Sequence, residues 1–285
     1  MGDKKKDKRP TLLKFIQWGF PKLEKIAPIL AYRYFIKLFF TPLRYPVPEK
    51  EQEIEAQAEQ FSLVVNGKKI QGYKWGKGPI VVFVHGWAGR ATQFRKFIEH
   101  FTANGFQAVA FDGPAHGRSE GSTTNLIEFK EVLEELFKQL PTEPVSVITH
   151  SFGGVATLYS IMNGIPITKL VNISSPTLAD EIINTYLRTI NGTKKTGDYF
   201  KEYIKKTNGR PFDEFSSMYF IQHLSQPLNL LLIHDEEDKE AIIRHSEELI
   251  RVFPSARLIR TKGLGHTRIL KDDKVIETCL RFVAS

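Results

Sequence analysis

One stretch of the sequence, residues 145–156 (VSVITHSFGGVA), constrains the fold more than any other. It begins as a β-branched apolar run that predicts a buried strand, passes through Ser151, and continues through Gly153 and Gly154 into an apolar helical segment. Such a tight strand-to-helix turn strains the backbone of the turn residue and tolerates only small neighbours. It would expose the Ser151 hydroxyl at a sheet edge, beside the backbone N–H of Phe152. The alternative is an ordinary turn whose serine caps the helix.

Seven further apolar or β-branched runs predict strands, and helical patterns separate most of them. The first two runs flank Asn66-Gly67 and predict a hairpin. Residues 125–140 carry a helical apolar face that opens with Asn125 and Glu128 as a capping pair. Strands that alternate with helices form a mostly parallel sheet covered on both faces, so we predict an α/β fold with eight strands. The seven runs are residues 61–65, 69–74, 80–85, 108–112, 170–174, 230–234 and 257–261.

Residues 176–226 interrupt this alternation, because the interval between the predicted sixth and seventh strands is too long for one crossover helix. We interpret the interval as a small helical lid over the carboxyl edge of the sheet, where ligands bind in such folds. Its aromatic residues, among them Phe212 and Phe215, indicate an apolar substrate group. The alternative is that these aromatics form the core of the lid.

The first 60 residues differ in composition from the rest and predict an N-terminal extension and linker before a catalytic domain of residues 61–285. Residues 1–10 are a charge run that predicts a solvated, disordered segment. Residues 41–60, rich in proline and glutamate, predict a connector. Residues 11–40 mix aromatic and aliphatic side chains with five basic ones, too interrupted to span a bilayer. Two interpretations stay open for them: helices packed on the catalytic domain, or a basic amphipathic segment on an anionic membrane surface.

Charge and cysteine content bound the partners and the compartment. The 285-residue chain has a formal net charge of +8, and the excess is concentrated near its start. It has neither zinc-finger spacing nor an aromatic–basic RNA signature, so nucleic acid is not the expected partner. The single cysteine, Cys279, excludes an intrachain disulfide and fits a reducing compartment. We expect a cytoplasmic protein, with peripheral membrane association through residues 11–40 as an alternative.

The residues for nucleophilic catalysis follow predicted strands. A serine nucleophile needs a general base, and the base needs an acid that orients it. Downstream of Ser151, the run 230–234 ends in acidic residues that include Asp235 and Asp238. His266 lies on a loop after the last predicted strand. The order is therefore serine, aspartate, histidine, and the residues alone leave two candidate acids.

With these groups in this order, residues 61–285 resemble the α/β-hydrolase superfamily. The resemblance implies Ser151 as the nucleophile, His266 as the general base and Asp238 as the orienting acid. It implies the backbone N–H groups of Trp87 and Phe152 as the oxyanion hole. The motifs that carry the resemblance are residues 85–87 (HGW), 112–119 (DGPAHGRS) and 149–154 (THSFGG), the segment around Asp238, and His266.

Two positions depart from the pattern of that superfamily. The pattern around the nucleophile is G-x-S-x-G, and Thr149 stands where the first glycine usually does, which would tighten or tilt the turn. In the acid loop, Asp235 stands where a glycine usually follows the histidine, so Asp235 remains a second candidate acid ranked below Asp238. His234 and His245 are expected at the surface or at strand ends.

Other polar residues in these motifs have structural interpretations. We expect His85 to hold its loop by hydrogen bonds, and Asp112 and His116 to brace the turn after their strand. His150 is expected to fill the flank of the turn or to contact substrate. No set of His, Asp and Cys has metal-ligand spacing, and the glycine-rich turns lack the Lys-Ser/Thr pair of a phosphate-binding loop. The sequence therefore predicts no metal and no cofactor.

The resemblance implies a serine hydrolase that cleaves a small-molecule ester or thioester through an acyl-enzyme. We expect a substrate with an apolar acyl or alkyl group, in contact with His150, Phe212 and Phe215. The same residues would also serve an acyltransferase, a peptidase or a carbon–carbon hydrolase. An alternative of a different class is a binding protein that has kept the fold and lost turnover.

Overall fold

The computed structural model describes residues 11–141 and 145–285. The predicted disordered segment, residues 1–10, lies outside the described residues. The described residues form two compact units. What we call the sheet unit comprises residues 40–179 and 213–285, and the helical unit comprises residues 11–39 and 180–212. Within the described ranges, no helix is long and apolar enough to cross a bilayer.

A single eight-stranded sheet organises the sheet unit. Its strands are β1 (Glu59–Val65), β2 (Lys68–Trp75), β3 (Ile80–Val84), β4 (Gln107–Phe111), β5 (Val145–His150), β6 (Ile167–Ile173), β7 (Asn229–Asp235) and β8 (Arg257–Thr261). The spatial order is β1-β2-β4-β3-β5-β6-β7-β8. The β1–β2 and β2–β4 pairs are antiparallel and the others are parallel. The predicted eight-stranded, mostly parallel sheet is therefore confirmed.

Helices connect the parallel strands and form the helical unit. They are α1 (Thr11–Ile26), α2 (Pro28–Phe39), α3 (Glu49–Ala56), α4 (Arg95–Ala103), α5 (Leu126–Gln139), α6 (Phe152–Met162), α7 (Ala179–Ile190), α8 (Lys194–Asn208), α9 (Ser217–Gln222), α10 (Arg244–Val252), α11 (Gly265–Arg268) and α12 (Asp273–Ala284). Short 3-10 turns occupy Ala91–Phe94, Phe212–Phe215 and Ile269–Lys271. The predicted capping pair is confirmed, because the N–H of Glu128 donates to the side-chain oxygen of Asn125 over 3.1 Å at the start of α5.

Two hydrophobic clusters lie on opposite faces of the sheet. Alternate residues of β3 belong to different clusters: Val82 and Val84 pack with α5 and α6, whereas Val81 and Phe83 pack with α4 and α12. Since side chains of a strand point alternately to its two faces, the continuous apolar run of β3 is buried on both sides. The carboxyl ends of the parallel strands are thereby fixed at one edge.

The helical unit has an aromatic core of its own. Its elements are α1, α2, α7 and α8. The ring of Phe35 in α2 meets the ring of Phe200 in α8 edge to face, with centroids 5.5 Å apart. Phe39 lies 4.5 Å from Tyr186 of α7 and 4.4 Å from Phe200 between ring centroids. The start of the chain and the interval between β6 and β7 therefore share one core.

Candidate active site

Ser151 occupies a strained turn between β5 and α6. Its backbone angles are φ 52° and ψ −124°, a conformation that costs a non-glycine residue free energy. The two following glycines make the turn possible. A Cβ at Gly153 would lie 2.3 Å from the carbonyl oxygen of Val84, and one at Gly154 would lie 1.9 Å from Oδ1 of Asn172. The turn presents the serine at the carboxyl end of β5.

Thr149 does not occupy the space at the turn. Its side chain is fully buried and its hydroxyl bonds sideways to β6, 2.9 Å from Oδ1 of Asn172 and 3.2 Å from the carbonyl oxygen of Val171. The threonine at the position usually held by glycine is accommodated by this polar partner on the adjacent strand. The sequence carried a signal for this pair, because Asn172 interrupts the apolar run of residues 170–173.

His266 lies on α11, and its partner is Asp238. Nδ1 of His266 is 2.7 Å from Oδ2 of Asp238, whose other oxygen accepts the N–H groups of Glu240 (2.9 Å) and Ala241 (3.0 Å). Because the carboxylate only accepts, Nδ1 of His266 is the donor in this bond. Burial by itself would raise the pKa of Asp238. The hydrogen bond and charge of His266, together with the two N–H groups, outweigh burial and hold that pKa below its ordinary value.

Asp235 binds backbone and hydroxyl groups of the surrounding loops and not the ring of His266. Its Oδ2 accepts the hydroxyl of Thr261 (2.8 Å) and the N–H of Leu264 (3.0 Å), and its Oδ1 accepts the N–H of Glu237 (3.0 Å). Burial would raise its pKa, but these donors and the N–H of Gly265 hold the pKa below its ordinary value. The structure thus brings only one of the two candidate acids to the ring of His266.

His150 links the end of β5 to α11. Its Nε2–H donates to the backbone carbonyl of His266 over 2.8 Å, and the two imidazole rings lie 4.7 Å apart between centroids. Burial lowers the pKa of His150 to about 3, so the ring is neutral. The backbone N–H of Ser151 donates to the carbonyl of Ile173 over 2.9 Å. The Ser151 hydroxyl has no hydrogen-bond partner within the described ranges.

The loop after β3 approaches Ser151 closely. A Cβ at Gly86 would lie 2.8 Å from Cβ of Ser151. The next residue, Trp87, packs its ring edge to face on the ring of Phe152, with centroids 5.3 Å apart. In the part of the chain that the structure describes, the backbone N–H groups of Trp87 and Phe152 donate to no acceptor. These are the two donors that the resemblance implied for an oxyanion.

Two buried histidines hold that loop, as predicted for His85, whereas His116 was expected only to brace the turn after its own strand. The N–H of Ala88, a residue with φ 56°, donates to Nε2 of His116 over 3.0 Å. The N–H of Gly113 donates to Nε2 of His85 over 2.8 Å. Each Nε2 accepts, so each ring is a neutral tautomer with its proton on Nδ1. Burial lowers the pKa of His85 to about 4 and that of His116 to about 3.

The predicted brace at Asp112 is also present. Its Oδ1 accepts the N–H of Ala91 over 2.8 Å, and its Oδ2 accepts the N–H of Arg118 over 2.8 Å. Asp112 therefore connects the loop after β3 to the loop after β4. Sequence reasoning missed Arg44, which donates to the backbone carbonyls of Ala115 (3.0 Å) and Ser119 (2.6 Å). Backbone acceptors leave no sequence signal, so this contact could not be predicted.

The expected surface or strand-end position is confirmed for His234, which lies at a strand end, and is wrong for His245. His234 lies at the end of β7 but is fully buried, and its Nε2–H donates to the carbonyl of Ala241 over 2.6 Å. His245 is buried in α10, where its Nδ1 accepts the N–H of Thr177 over 2.9 Å. Burial lowers the pKa of both rings, that of His245 to about 4. Both rings support the acid loop and its surroundings.

The predicted substrate contacts stay predictions. His150 is buried against His266, as described above. Phe212 is 8% exposed and packs in the helical unit, 5.4 Å from the ring of Phe200. Phe215 belongs to the sheet unit and lies 6.4 Å from the ring of Tyr159.

The buried histidines predict a loss of stability in mild acid. His85, His116, His150 and His245 have folded-state pKa values of about 3 to 4, below the unfolded value of about 6.5. Their contribution to the free energy of unfolding is fully present above pH 6.5. It falls by about 1.4 kcal/mol per pH unit and per ring as the pH drops toward 4, because only the unfolded chain takes up protons there. Urea midpoints at pH 7.5 and 5 measure the effect.

The control for this prediction is a single histidine. His116→Gln should lower the slope of the unfolding free energy against pH by about 1.4 kcal/mol per pH unit, the share of one histidine. The glutamine amide can accept from the N–H of Ala88 without titrating. Urea midpoints that do not change between pH 7.5 and 5 would mean that these rings are protonated in the folded protein.

Comparisons with known proteins give the family of the chain. A family model described as alpha/beta hydrolase fold matches residues 79–270, about two thirds of the chain. The chain is 31% identical to the magnesium-chelatase 30 kDa subunit of Rhodobacter capsulatus over 34% of this chain and 35% of the relative. It is 29% identical to the non-heme chloroperoxidase CPO-A1 of Kitasatospora aureofaciens over 31% of this chain and 33% of the relative. The chain thus spans about a third of the length of these curated relatives.

Solved structures match over most of the chain. The Pyrococcus furiosus esterase Pf2001 superposes with a TM-score of 0.66 at 17% identity, covering 85% of this chain and 98% of the esterase. At this identity the likeness concerns the fold. The eight-stranded sheet, the strained serine after β5 and the family match over two thirds of the sequence lead to one conclusion: the chain belongs to the α/β-hydrolase fold family.

Proposed function

We propose that the protein is a serine hydrolase that cleaves an ester or thioester bond through an acyl-enzyme. The observation that carries the proposal is the 2.7 Å hydrogen bond between Nδ1 of His266 and Oδ2 of Asp238, in a chain that also holds Ser151 in a strained turn. His150, the residue that precedes Ser151, adds support, since its ring donates to the backbone carbonyl of His266. The name of the structurally similar esterase agrees with this chemistry.

In the proposed reaction, Nε2 of His266 takes the proton of the Ser151 hydroxyl as Oγ attacks the carbonyl carbon. The negative charge moves to the carbonyl oxygen, where the N–H groups of Trp87 and Phe152 donate to it. The tetrahedral intermediate then collapses, and the alcohol or thiol leaves with the proton from His266. His266 then deprotonates a water molecule, whose attack on the acyl carbon releases the acid. The proton passes from His266 back to Ser151.

Asp238 has two tasks in this reaction. It keeps the proton of His266 on Nδ1, so that Nε2 is the basic atom, and it stabilises the imidazolium that forms during attack. Its low pKa keeps the carboxylate ionised throughout the neutral range. The buried, neutral rings of His85 and His116 are better suited to hold the loop after β3 than to move protons. Both nitrogens of each ring are occupied by backbone partners.

We infer further that residues 176–226 serve as a lid and that the substrate carries an apolar acyl or alkyl group. The inference rests on the length and the apolar composition of this segment in the sequence, since the rings of Phe200 and Phe212 pack on each other and that of Phe215 packs on Tyr159. Acyl transfer to an alcohol would use the same groups up to the acyl-enzyme and differ only in the acceptor.

A substrate panel with a covalent probe tests the proposal. We expect hydrolysis of p-nitrophenyl esters, from acetate to palmitate, or of acyl-CoA thioesters, with a preference that depends on chain length. A fluorophosphonate should label the protein stoichiometrically and abolish that hydrolysis. Labelling without turnover of any ester or thioester would favour a transferase or a binding protein. Neither labelling nor turnover would refute the proposal.

A further inference from the structure

The helices α1 and α2 expose an unusual face. All exposed side chains of residues 13–39 are either basic or apolar. We call this set the hairpin face. It comprises Lys14, Phe15, Trp18, Lys22, Lys25 and Ile26 on α1, and Pro28, Ile29, Leu30, Arg33, Tyr34 and Lys37 on α2. The face has no acidic residue and, apart from the hydroxyl of Tyr34, no neutral hydrogen-bonding side chain.

The exposure of its apolar residues is large. Phe15 is 67% exposed, Trp18 62% and Ile26 83%, while Ile29 and Leu30 are 56% and 57% exposed. Scattered single apolar residues are normal on a surface, but five large ones within two adjoining helices are more than monomeric proteins usually leave in water.

The buried side chains of the two helices lie outside this face. The core of the helical unit takes the opposite sides of the two helices, where Phe20, Ala31 and Phe35 are almost completely buried. Glu24, the one acid of the two helices, is turned inward and accepts the hydroxyl of Thr193 over 2.6 Å. The two helices therefore bury one side in their own fold and expose the hairpin face.

The composition of the hairpin face identifies the class of partner. Protein interfaces are depleted in lysine and form many hydrogen bonds with neutral polar groups, which this face lacks. The boundary of a lipid bilayer takes aromatic and aliphatic side chains among its acyl chains and attracts lysine and arginine to its phosphates. Nζ of Lys22 lies 3.4 Å from the centroid of the Trp18 ring, so a cation and an aromatic ring are in direct contact on this face.

We propose that the hairpin face binds the surface of an anionic lipid membrane. The two helices lie in the plane of the interface, with the apolar side chains inserted at the level of the headgroups and the basic ones on the lipid phosphates. None of the helices described is long enough to span, so the attachment is to one leaflet. The proposal concerns a site separate from Ser151 and does not depend on the hydrolytic reaction.

Co-sedimentation of the full chain with vesicles tests the proposal. We expect binding to vesicles that contain phosphatidylglycerol, weak binding to pure phosphatidylcholine, and release when NaCl is raised from 0.15 to about 0.5 M, because salt screens surface charge. Each basic residue near an anionic surface contributes about a fivefold factor, so Lys22→Gln, Lys25→Gln and Arg33→Gln together should weaken binding about a hundredfold. Phe15→Gln with Trp18→Gln should weaken it roughly tenfold or more.

A matched control removes the same charge from the same unit. Lys195, Lys205 and Lys206 are exposed on α8, and their replacement by glutamine lowers the net charge by the same amount. We expect this variant to keep binding within a few-fold of the parent. All variants change exposed side chains, so circular dichroism and the Tm should stay unchanged.

Three outcomes would overturn the proposal. Absence of binding to anionic vesicles would do so directly. Equal losses of vesicle binding in the triple glutamine variants of the hairpin face and of α8 would mean that binding depends only on net charge. A dimer of the parent that Phe15→Gln with Trp18→Gln converts to a monomer, without any vesicle binding, would assign the face to a second copy of the chain.

Discussion

Ser151→Ala should lower kcat for an ester or thioester by about four to six powers of ten, because the groups of a nucleophilic site act as a unit. The fold should survive, since alanine adopts the same turn and the hydroxyl has no hydrogen-bond partner to lose among the residues that the structure describes. Relief of strain is not expected, because alanine also carries a Cβ in the positive-φ region. Initial rates with the best substrate of the panel and the Tm are the measurements.

Ser62→Ala is the matched control for that variant. Ser62 is an exposed serine of β1, in the same unit, and its replacement should leave kcat unchanged. Fluorophosphonate labelling should persist in Ser62→Ala and disappear in Ser151→Ala. If Ser151→Ala keeps most of the activity, Ser151 is not the nucleophile and the proposed mechanism is wrong.

Asp238→Asn should lower kcat by about four powers of ten. The reason lies in the two sides of the carboxylate. Oδ1 accepts the N–H groups of Glu240 and Ala241, so the oxygen of an asparagine amide would stay there and its NH2 group would face His266. A donor at that position requires an unprotonated Nδ1 and moves the proton to Nε2. The ring would then be the wrong tautomer to accept the proton of Ser151.

Asp235→Asn should have the opposite balance of effects. Both of its oxygens accept donors from the loop, so an amide leaves at least one of them unpaired and costs about 1–3 kcal/mol of stability. We expect a lower Tm and a kcat loss much smaller than that of Asp238→Asn. Asp273→Asn, at an exposed acid of α12, should change neither quantity. A larger kcat loss from Asp235→Asn than from Asp238→Asn would move the orienting role to Asp235.

The parts of the fold that depend on local pattern were predictable from the sequence. The run 257–261 became β8 with the same bounds, and the two halves of the first hairpin differ from β1 and β2 by one or two residues. A strand pattern lies within a few consecutive residues, and the Asn66-Gly67 turn has positive φ at both residues, as a tight hairpin requires. The order of the candidate catalytic groups was readable for the same reason.

Contacts between distant segments were not predictable in the same way. His245 belongs to a helix whose charged neighbours indicate a surface, yet it is buried because the segment after β6 donates two N–H groups to its ring. His150 was assigned to the substrate, and its bond to the carbonyl of His266 depends on where α11 begins. The choice between Asp235 and Asp238 likewise needed the actual path of the loop, since both acids follow the same strand.

The helical unit is assembled from two segments that the whole of residues 40–179 separates. At a synthesis rate of ~5–20 residues per second, the first two helices leave the ribosome roughly ten seconds or more before α7 and α8 exist. During that time Phe20, Phe35 and Phe39 have no partner to cover them, in addition to the apolar residues that stay exposed in the finished chain. The nascent protein is therefore most prone to aggregation before residue 212 emerges, and a transcript truncated within the sheet unit would yield a fragment that chaperones and proteases must remove.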